Sequence, residues 1–257
     1  MTSGKQAQAP EPTPTITLVM PAWNEEKYIT PTLESVTAAA KHFEAERGGT
    51  VEIIVVDNGS TDHTAEIAEA WGCRVVSYTE RHQMASVRNA GAKHARGEVI
   101  CTLDADRSLV PEDVFCEIHD NLQDEKIFGG GANARPEYWT VGAVIFLVVI
   151  KTYMWIRNIG AIMFYMRTAD FRELGGFNEE YWAVEDLEMA FRMRDLARSR
   201  GQRFRNLRGT VDVCMRKVGM VSTWKLLKLL WAMAFRPGIF RDRSAWDPLY
   251  YDVDSLR

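Results

Sequence analysis

Apolar and polar positions alternate along the first half of this chain in blocks of two kinds. Short runs rich in β-branched residues recur at Ile16-Thr17-Leu18-Val19-Met20, at 51–56, at Val75-Val76 and at Val99-Ile100-Cys101-Thr102-Leu103. The run 51–56 is apolar except for Glu52, as expected of a strand buried on both faces. Between these runs the apolar spacing changes to three and four. Thr30-Pro31 reads as a helix start, with proline at the first helical position. Leu33, Val36, Ala40 and Phe43 then share a face, and Gly48-Gly49 closes the element. A second helix follows Asp57 and runs to about Trp71, with Gly72 as its stop. A third covers 83–95 before Gly97, and Pro111 opens a fourth. Pro21 is expected to end the first strand, because proline cannot donate to a sheet ladder. Strands alternating with helices over short connections predict a largely parallel sheet with helices on both faces.

After about residue 126 the alternation breaks down. The stretch 138–166 is aromatic and apolar and reads as helix followed by strand. Residues 184–199 read as an amphipathic helix with Val184, Leu187, Phe191 and Leu196 on one face. Residues 211–214 read as a strand, and 221–235 as a very apolar helix. These blocks divide the chain into a polar, Pro-rich tail (1–14), one α/β domain (15–215, with halves 15–125 and 126–215) and a basic, apolar helical region (216–257).

Composition narrows the class. At 257 residues the chain is long enough for one large α/β domain. A net charge of −4 argues against a sequence-blind nucleic-acid binder. The four cysteines (Cys73, Cys101, Cys116, Cys214) form no C-x-x-C pair, which fits reduced core thiols in a cytoplasmic protein. The tail does not read as a secretion signal. The most apolar stretch, 141–150, is about half of the ~20 residues a membrane-spanning helix needs, and Lys151, Arg157 and Asn158 interrupt its continuation. No membrane span is therefore expected. From 216 to 243, seven Lys and Arg residues face only Asp242 and interleave with Trp224, Leu226, Leu227, Leu229, Leu230, Trp231, Met233 and Phe235. Such a helix either lies on an anionic bilayer at the inner face of the membrane or packs on the core with its lysines solvated.

The candidate chemistry centres on Asp104-Ala105-Asp106, straight after a buried strand. Open α/β sheets bind ligands at that carboxyl edge. Two close carboxylates repel unless a cation sits between them, and Mg²⁺ or Mn²⁺ held by one or two carboxylates usually also grips substrate phosphates. Alone, a D-x-D is an ordinary acidic turn. Three other segments stand with it: Val19-Met20-Pro21-Ala22-Trp23-Asn24-Glu25-Glu26, Val55-Val56-Asp57-Asn58-Gly59-Ser60-Thr61-Asp62, and Gly175-Gly176-Phe177-Asn178-Glu179 followed by Glu185-Asp186. Arg88-Asn89-Ala90-Gly91 leads into the acidic strand.

Together, over roughly residues 15–215, these segments resemble the inverting glycosyltransferases of family 2, which have the GT-A fold. The resemblance implies a mixed, mostly parallel nucleotide-binding sheet and metal-dependent transfer from a nucleoside-diphosphate sugar to an acceptor hydroxyl. It implies that Asp57 accepts a hydrogen bond from the nucleobase, which uracil and guanine can supply. It places Pro21, Ala22 and Trp23 along the base pocket, Glu25 on the ribose and Arg88 near the nucleotide. Asp106 would ligate the metal; Asp104 would hold the ribose or the metal's water shell, with Ala105 between them. Asp186 would be the catalytic base, with Glu185 as reserve, and Phe177 and Trp182 would line the acceptor side. The acceptor, a glycan, lipid carrier or protein, has no readable signature.

Each residue also has a plain structural reading. Asp57 suits a turn or helix cap, Trp23 core packing, Arg88 a solvated helix face, and Glu185-Asp186 a helix N-terminus. The five histidines form no ligand-spaced group and read as surface or structural. A sugar-phosphate nucleotidyltransferase would need a Gly-rich basic loop where Pro21 to Glu26 stand. A non-catalytic nucleotide-sugar binder is the other alternative. A dinucleotide-binding oxidoreductase is disfavoured because no G-x-G-x-x-G follows the first strand.

Overall fold

The four expected strands are β1 (Ile16–Ala22), β2 (Val51–Asp57), β3 (Arg74–Ser77) and β4 (Val99–Thr102) of a computed structural model that describes residues 13–136, 162–214 and 240–243. The helices between and after them are α1 (Ile29–Arg47), α2 (Thr64–Ala70), α3 (Met84–Ala92) and α4 (Val114–Gln123). Beyond these come β5 (Ile127–Pro136), β6 (Ile162–Arg167), α5 (Thr168–Glu173), α6 (Glu185–Ser199), β7 (Arg203–Phe204) and β8 (Thr210–Val213). The sheet runs β3-β2-β1-β4-β6-β5-β7, with β8 also paired to β5. β6 is antiparallel to both its neighbours, β4 and β5, and the remaining pairs are parallel.

The period-2 pattern sends alternate residues into two apolar layers. Ile16, Leu18 and Met20 of β1 join Leu33, Val36 and Phe43 of α1 and Phe115 and Ile118 of α4 on one face. Val19, Ile54, Val56 and Ile100 join Ala85 and Val87 of α3, Phe171 of α5 and Met189 and Met193 of α6 on the other. Both faces are covered, which is why β1, β2 and β4 read as near-continuous apolar runs.

Pro21 does not end β1. Even-numbered residues of β1 bond towards β2: the Ala22 carbonyl accepts the Asn58 N–H at 2.9 Å. Odd-numbered ones bond towards β4: the Val19 carbonyl accepts the Leu103 N–H at 3.1 Å. The missing N–H of Pro21 therefore falls on the β4 side, where pairing stops at Val19–Thr102. Pairing with β2 runs on through Ala22 and Asp57.

Three further expectations change. α3 ends at Ala92, and 93–95 continue only as turns. The fourth helix begins at Val114, three residues after Pro111. α6 buries Met189, Ala190, Met193 and Ala197, whereas Leu187, Phe191 and Leu196 are only half-buried. β5 was not anticipated, because Gly129-Gly130-Gly131 has no side chains to show a period. A Cβ on Gly130 would lie 1.6 Å from the Arg205 carbonyl oxygen, so the bare backbone is what lets the two segments meet. The helix expected early in 138–166, the one at 221–235 and most of the basic 216–243 region lie outside the described residues.

Candidate active site

Parallel pairing sets the ends of β1, β2 and β4 on one edge of the sheet. Ala22 is in register with Asp57, and β4 leads through Leu103 into Asp104. The turns after β1 and β2 are tied together. Asn24 N–H donates to Ser60 Oγ (3.0 Å), Thr61 N–H to Asn24 Oδ1 (2.8 Å), Glu25 N–H to Thr64 Oγ1 (2.8 Å) and Glu26 N–H to Asp62 Oδ2 (3.1 Å). These bonds are the physical reason the Trp23-Asn24-Glu25-Glu26 and Asp57-to-Asp62 segments occur together. Asp57 is buried, and its carboxylate accepts the Ser60 N–H at 3.2 Å, so its turn-forming role is real. Pro21, Ala22 and Glu25 are buried and Trp23 is half-buried at this edge.

Asp104, Asp106 and Asp186 line one pocket of about 180 Å³ together with Arg88, Thr102, Ser108 and Met163. Ala105 is buried between the two aspartates, its carbonyl accepting from Thr32 Oγ1 of α1 at 3.3 Å. Pro21, Ala22, Trp23, Glu25 and Asp57 do not line that pocket; they stand on the same sheet edge beyond it.

Arg88 gathers the pocket. Its Nη1 donates to Glu185 Oε1 (2.7 Å) and Asp186 Oδ1 (2.9 Å), and its Nη2 to Asp104 Oδ1 (2.8 Å). Arg88 is 4 % exposed, which overturns the solvated-face reading. Burial works against its charge, but Asp186, Asp104 and Glu185 outweigh burial and hold its pKa above the ordinary value. Asp186 moves the other way. Burial first, then the repulsion of Glu185 and Asp104, push its carboxyl well above the usual carboxylate range, with Arg88 opposing. The E-D pair is thereby sorted. Glu185, with a side chain 11 % exposed, is packed against Arg88, whereas Asp186, at 28 %, lines the pocket.

α3 reaches this position because Gly91 has no side chain: a Cβ there would meet Val19 and Val56 at 2.5 Å. Next to Arg88, Asn89 accepts the Phe177 N–H (2.8 Å) and donates to the Phe177 carbonyl (2.8 Å). That clamp docks the Gly175-Gly176-Phe177 loop beneath α6. Phe177, expected on the acceptor side, is buried instead, with the Arg88 guanidinium carbon 5.3 Å from its ring centre. Trp182 is half-buried, with Arg81 4.8 Å from its ring centre.

Backbone strain clusters here. The described non-glycine residues with positive φ are Asn24 (53°), Arg107 (65°), Met163 (50°) and Val184 (56°). They stand between Trp23 and Glu25, after Asp106, in the pocket wall and before Glu185. Strain of this kind collects at functional sites. Met163 and Ser108 carried no sequence signal, one being an apolar residue in a strand and the other a serine in a turn.

The donor set suits a hard divalent cation. Asp104 and Asp106 offer carboxylate oxygens in a pocket where, among the described residues, Arg88 pairs with Asp104, Asp186 and the adjoining Glu185. Among the described residues no group of three or more His, Cys, Asp or Glu converges as a ligand set.

This sheet, with its carboxylates at the carboxyl edge, is the GT-A glycosyltransferase fold. Solved structures with the same architecture include TarS of Staphylococcus aureus (TM-score 0.60, 18 % identity, covering 93 % of this chain and 76 % of that one). Another is the Pyrobaculum calidifontis mannosyltransferase in complex with GDP-Man and Mn²⁺ (TM-score 0.61, 19 % identity, 97 % and 74 %). Residues 17–135 match the family model described as Glycosyl transferase family 2. Curated relatives include the undecaprenyl-phosphate 4-deoxy-4-formamido-L-arabinose transferase of Pseudomonas paraeruginosa, 33 % identical over 137 residues, 51 % of this chain and 39 % of that protein. The dolichyl-phosphate beta-glucosyltransferase of Trichomonas vaginalis is 38 % identical over 96 residues, 35 % of this chain and 28 % of that protein. The match thus spans well under half the length of these relatives.

Proposed function

We propose that this chain transfers a sugar from a nucleoside-diphosphate sugar, UDP- or GDP-linked, to an acceptor hydroxyl by a single displacement with inversion. The observation that carries this reading is the pocket that Asp104, Asp106 and Asp186 line together, with Arg88 bonded to Asp104 and Asp186. Asp186 takes the proton of the acceptor hydroxyl as its oxygen attacks the anomeric carbon and the bond to the diphosphate breaks. Glu185 and Arg88 hold Asp186 in place. Asp57, Trp23, Pro21 and Ala22 hold the nucleobase and Glu25 the ribose. Asp106, with Asp104, would hold Mn²⁺ or Mg²⁺, which would supply Lewis-acid neutralisation of the departing diphosphate.

The named substrates of the relatives, undecaprenyl phosphate and dolichyl phosphate, favour a second acceptor class, a phosphate on a lipid carrier. Among the described residues no helix is long and apolar enough to cross a membrane. The basic 216–243 region would then supply contact with the inner membrane face, and a cytoplasmic active site would meet the carrier there. Co-sedimentation with anionic liposomes tests that contact: binding should weaken with salt and in Lys225→Glu/Lys228→Glu, and no sedimentation at low ionic strength removes it.

The test of the reaction is a panel of nucleotide sugars incubated with the protein and Mn²⁺, with and without excess EDTA. Release of UDP or GDP that stops in EDTA is the expected result. Full turnover in EDTA overturns the metal requirement. Turnover of a sugar phosphate with a nucleoside triphosphate, and of no nucleotide sugar, overturns the transferase.

A further inference from the structure

The loop between β3 and α3 carries a histidine whose tautomer the structure fixes. Asn58, the residue after Asp57, is buried, and its Nδ2 donates to the carbonyls of Tyr78 (2.6 Å) and Arg81 (3.4 Å). Two carbonyl oxygens at that end require the amide NH₂ there, because a reversed amide would set oxygen against oxygen. Asn58 Oδ1 therefore faces His82 Nδ1 at 2.8 Å, and Nδ1 carries the hydrogen. In the neutral imidazole Nε2 is then an acceptor.

The ring is exposed and lies against the expected nucleoside site. Its centre is 5.8 Å from that of Trp23, tilted by 56°. Its Cε1, the atom between the two nitrogens, is 4.0 Å from where a Cβ on Gly59 would stand, in the turn that follows Asp57. Three loops at one sheet edge thus bring together an indole face, the Asp57 carboxylate and a pinned imidazole. Serving only as a brace for the loop would need no second nitrogen and no exposed ring. Resting on the reading of this edge as a nucleotide-sugar site, we propose that His82 is a specificity-determining residue whose Nε2 accepts a hydrogen bond from an N–H or O–H of the donor's nucleoside. The group is either an amino or imino N–H of the base or the ribose 2′-hydroxyl.

The test is calorimetry on the full chain with Mn²⁺, titrating UDP, GDP, 2′-deoxy-UDP and inorganic pyrophosphate into wild type, His82→Ala and His82→Phe. Phe keeps a ring beside Trp23 but has no acceptor. Both variants should bind the preferred nucleoside diphosphate roughly 3- to 10-fold more weakly, the worth of one hydrogen bond, while pyrophosphate binds as to wild type. If the partner is the ribose 2′-hydroxyl, 2′-deoxy-UDP should bind wild type and His82→Phe equally. If it is the base, the penalty should persist with the deoxy nucleotide and differ between UDP and GDP. His82→Phe binding every nucleotide like wild type overturns the proposal, as does an equal loss of pyrophosphate, which would mark a merely structural role. A wild type that binds pyrophosphate but no nucleoside diphosphate overturns the site reading itself.

Discussion

Removing the Arg88 guanidinium tests the architecture of the pocket more severely than removing any one acid. In Arg88→Met the aliphatic stem still fills the space over Phe177, but Glu185, Asp186 and Asp104 lose their shared partner. Breaking a buried pair by deleting one member costs about 3–5 kcal/mol, because the remaining charge stays buried. Here the three acids do not contribute equally. Asp104, with a side chain 38 % exposed, regains water and contributes at most about 1 kcal/mol. Glu185, at 11 %, cannot, and carries most of the cost. The expected loss is therefore about 3 kcal/mol at pH 8, a large part of the roughly 5–15 kcal/mol that holds a domain folded. The sign with pH follows from linkage. Carboxyls whose folded pKa lies above the unfolded value bind more protons in the folded state, so stability falls as pH rises through that window. Asp186 already has this property in the wild type, and deleting Arg88 removes the charge that opposes it. Urea denaturation at pH 5 and pH 8 should show the variant recovering much of its deficit at the lower pH. A variant as stable as wild type at pH 8, or equally destabilised at both pH values, would refute the reasoning.

Two further substitutions probe the neighbouring features. Val184 is β-branched in the left-handed region directly before the E-D pair, so Val184→Gly should raise stability by about 0.5–1 kcal/mol while lowering turnover as Glu185 and Asp186 gain freedom; a lowered melting temperature would show the strain to be imaginary. Asp106→Ala should abolish Mn²⁺-dependent binding of the nucleotide sugar while leaving the melting temperature unchanged or slightly raised, since one of two repelling carboxylates is gone; calorimetry showing undiminished Mn²⁺-dependent binding would move the metal elsewhere.

The first half of the chain was legible because its sheet is parallel and covered on both faces, so each strand wrote itself as an apolar run and each helix as a spaced one. Asp104 and Asp106 could be picked out because they follow a readable strand, and Asp186 because it opens a readable helix, each in a segment with a family resemblance. What joined them could not be read. Arg88 looks like a helix-surface arginine, and only the close approach allowed by Gly91 carries it under three carboxylates. β5 was invisible because glycines have no pattern, and Pro21 misled because ladder direction, not residue type, decides whether a missing N–H matters. The buried face of α6 was misjudged for a related reason. Met and Ala make the contact there, while the larger Leu187 and Phe191 stay half-buried.

Asp186 also offers a way to tell the two acceptor classes apart. As a base it must be ionised, and burial with Glu185 and Asp104 nearby places its titration above the ordinary carboxylate range. Turnover with a hydroxyl acceptor should therefore rise with pH through a value above that range. Asp186→Asn, nearly isosteric but unable to take a proton, should lose about 10²–10⁴-fold and the acid limb with it. A phosphate monoester needs no such help, since its second ionisation lies near pH 6 and the attacking oxygen is already anionic at neutral pH. With a polyprenyl phosphate, Asp186→Asn should lose less than about 10-fold, because the step it would catalyse is absent. The comparison is made in one assay series, with one donor and two acceptors, the wild type and the variant each measured from pH 5 to pH 9. A large loss confined to the hydroxyl acceptor supports Asp186 as the base. Unimpaired transfer to the hydroxyl, with the acid limb intact, shifts the role to Glu185 if Glu185→Gln abolishes that limb, and removes the base from this pair if it does not.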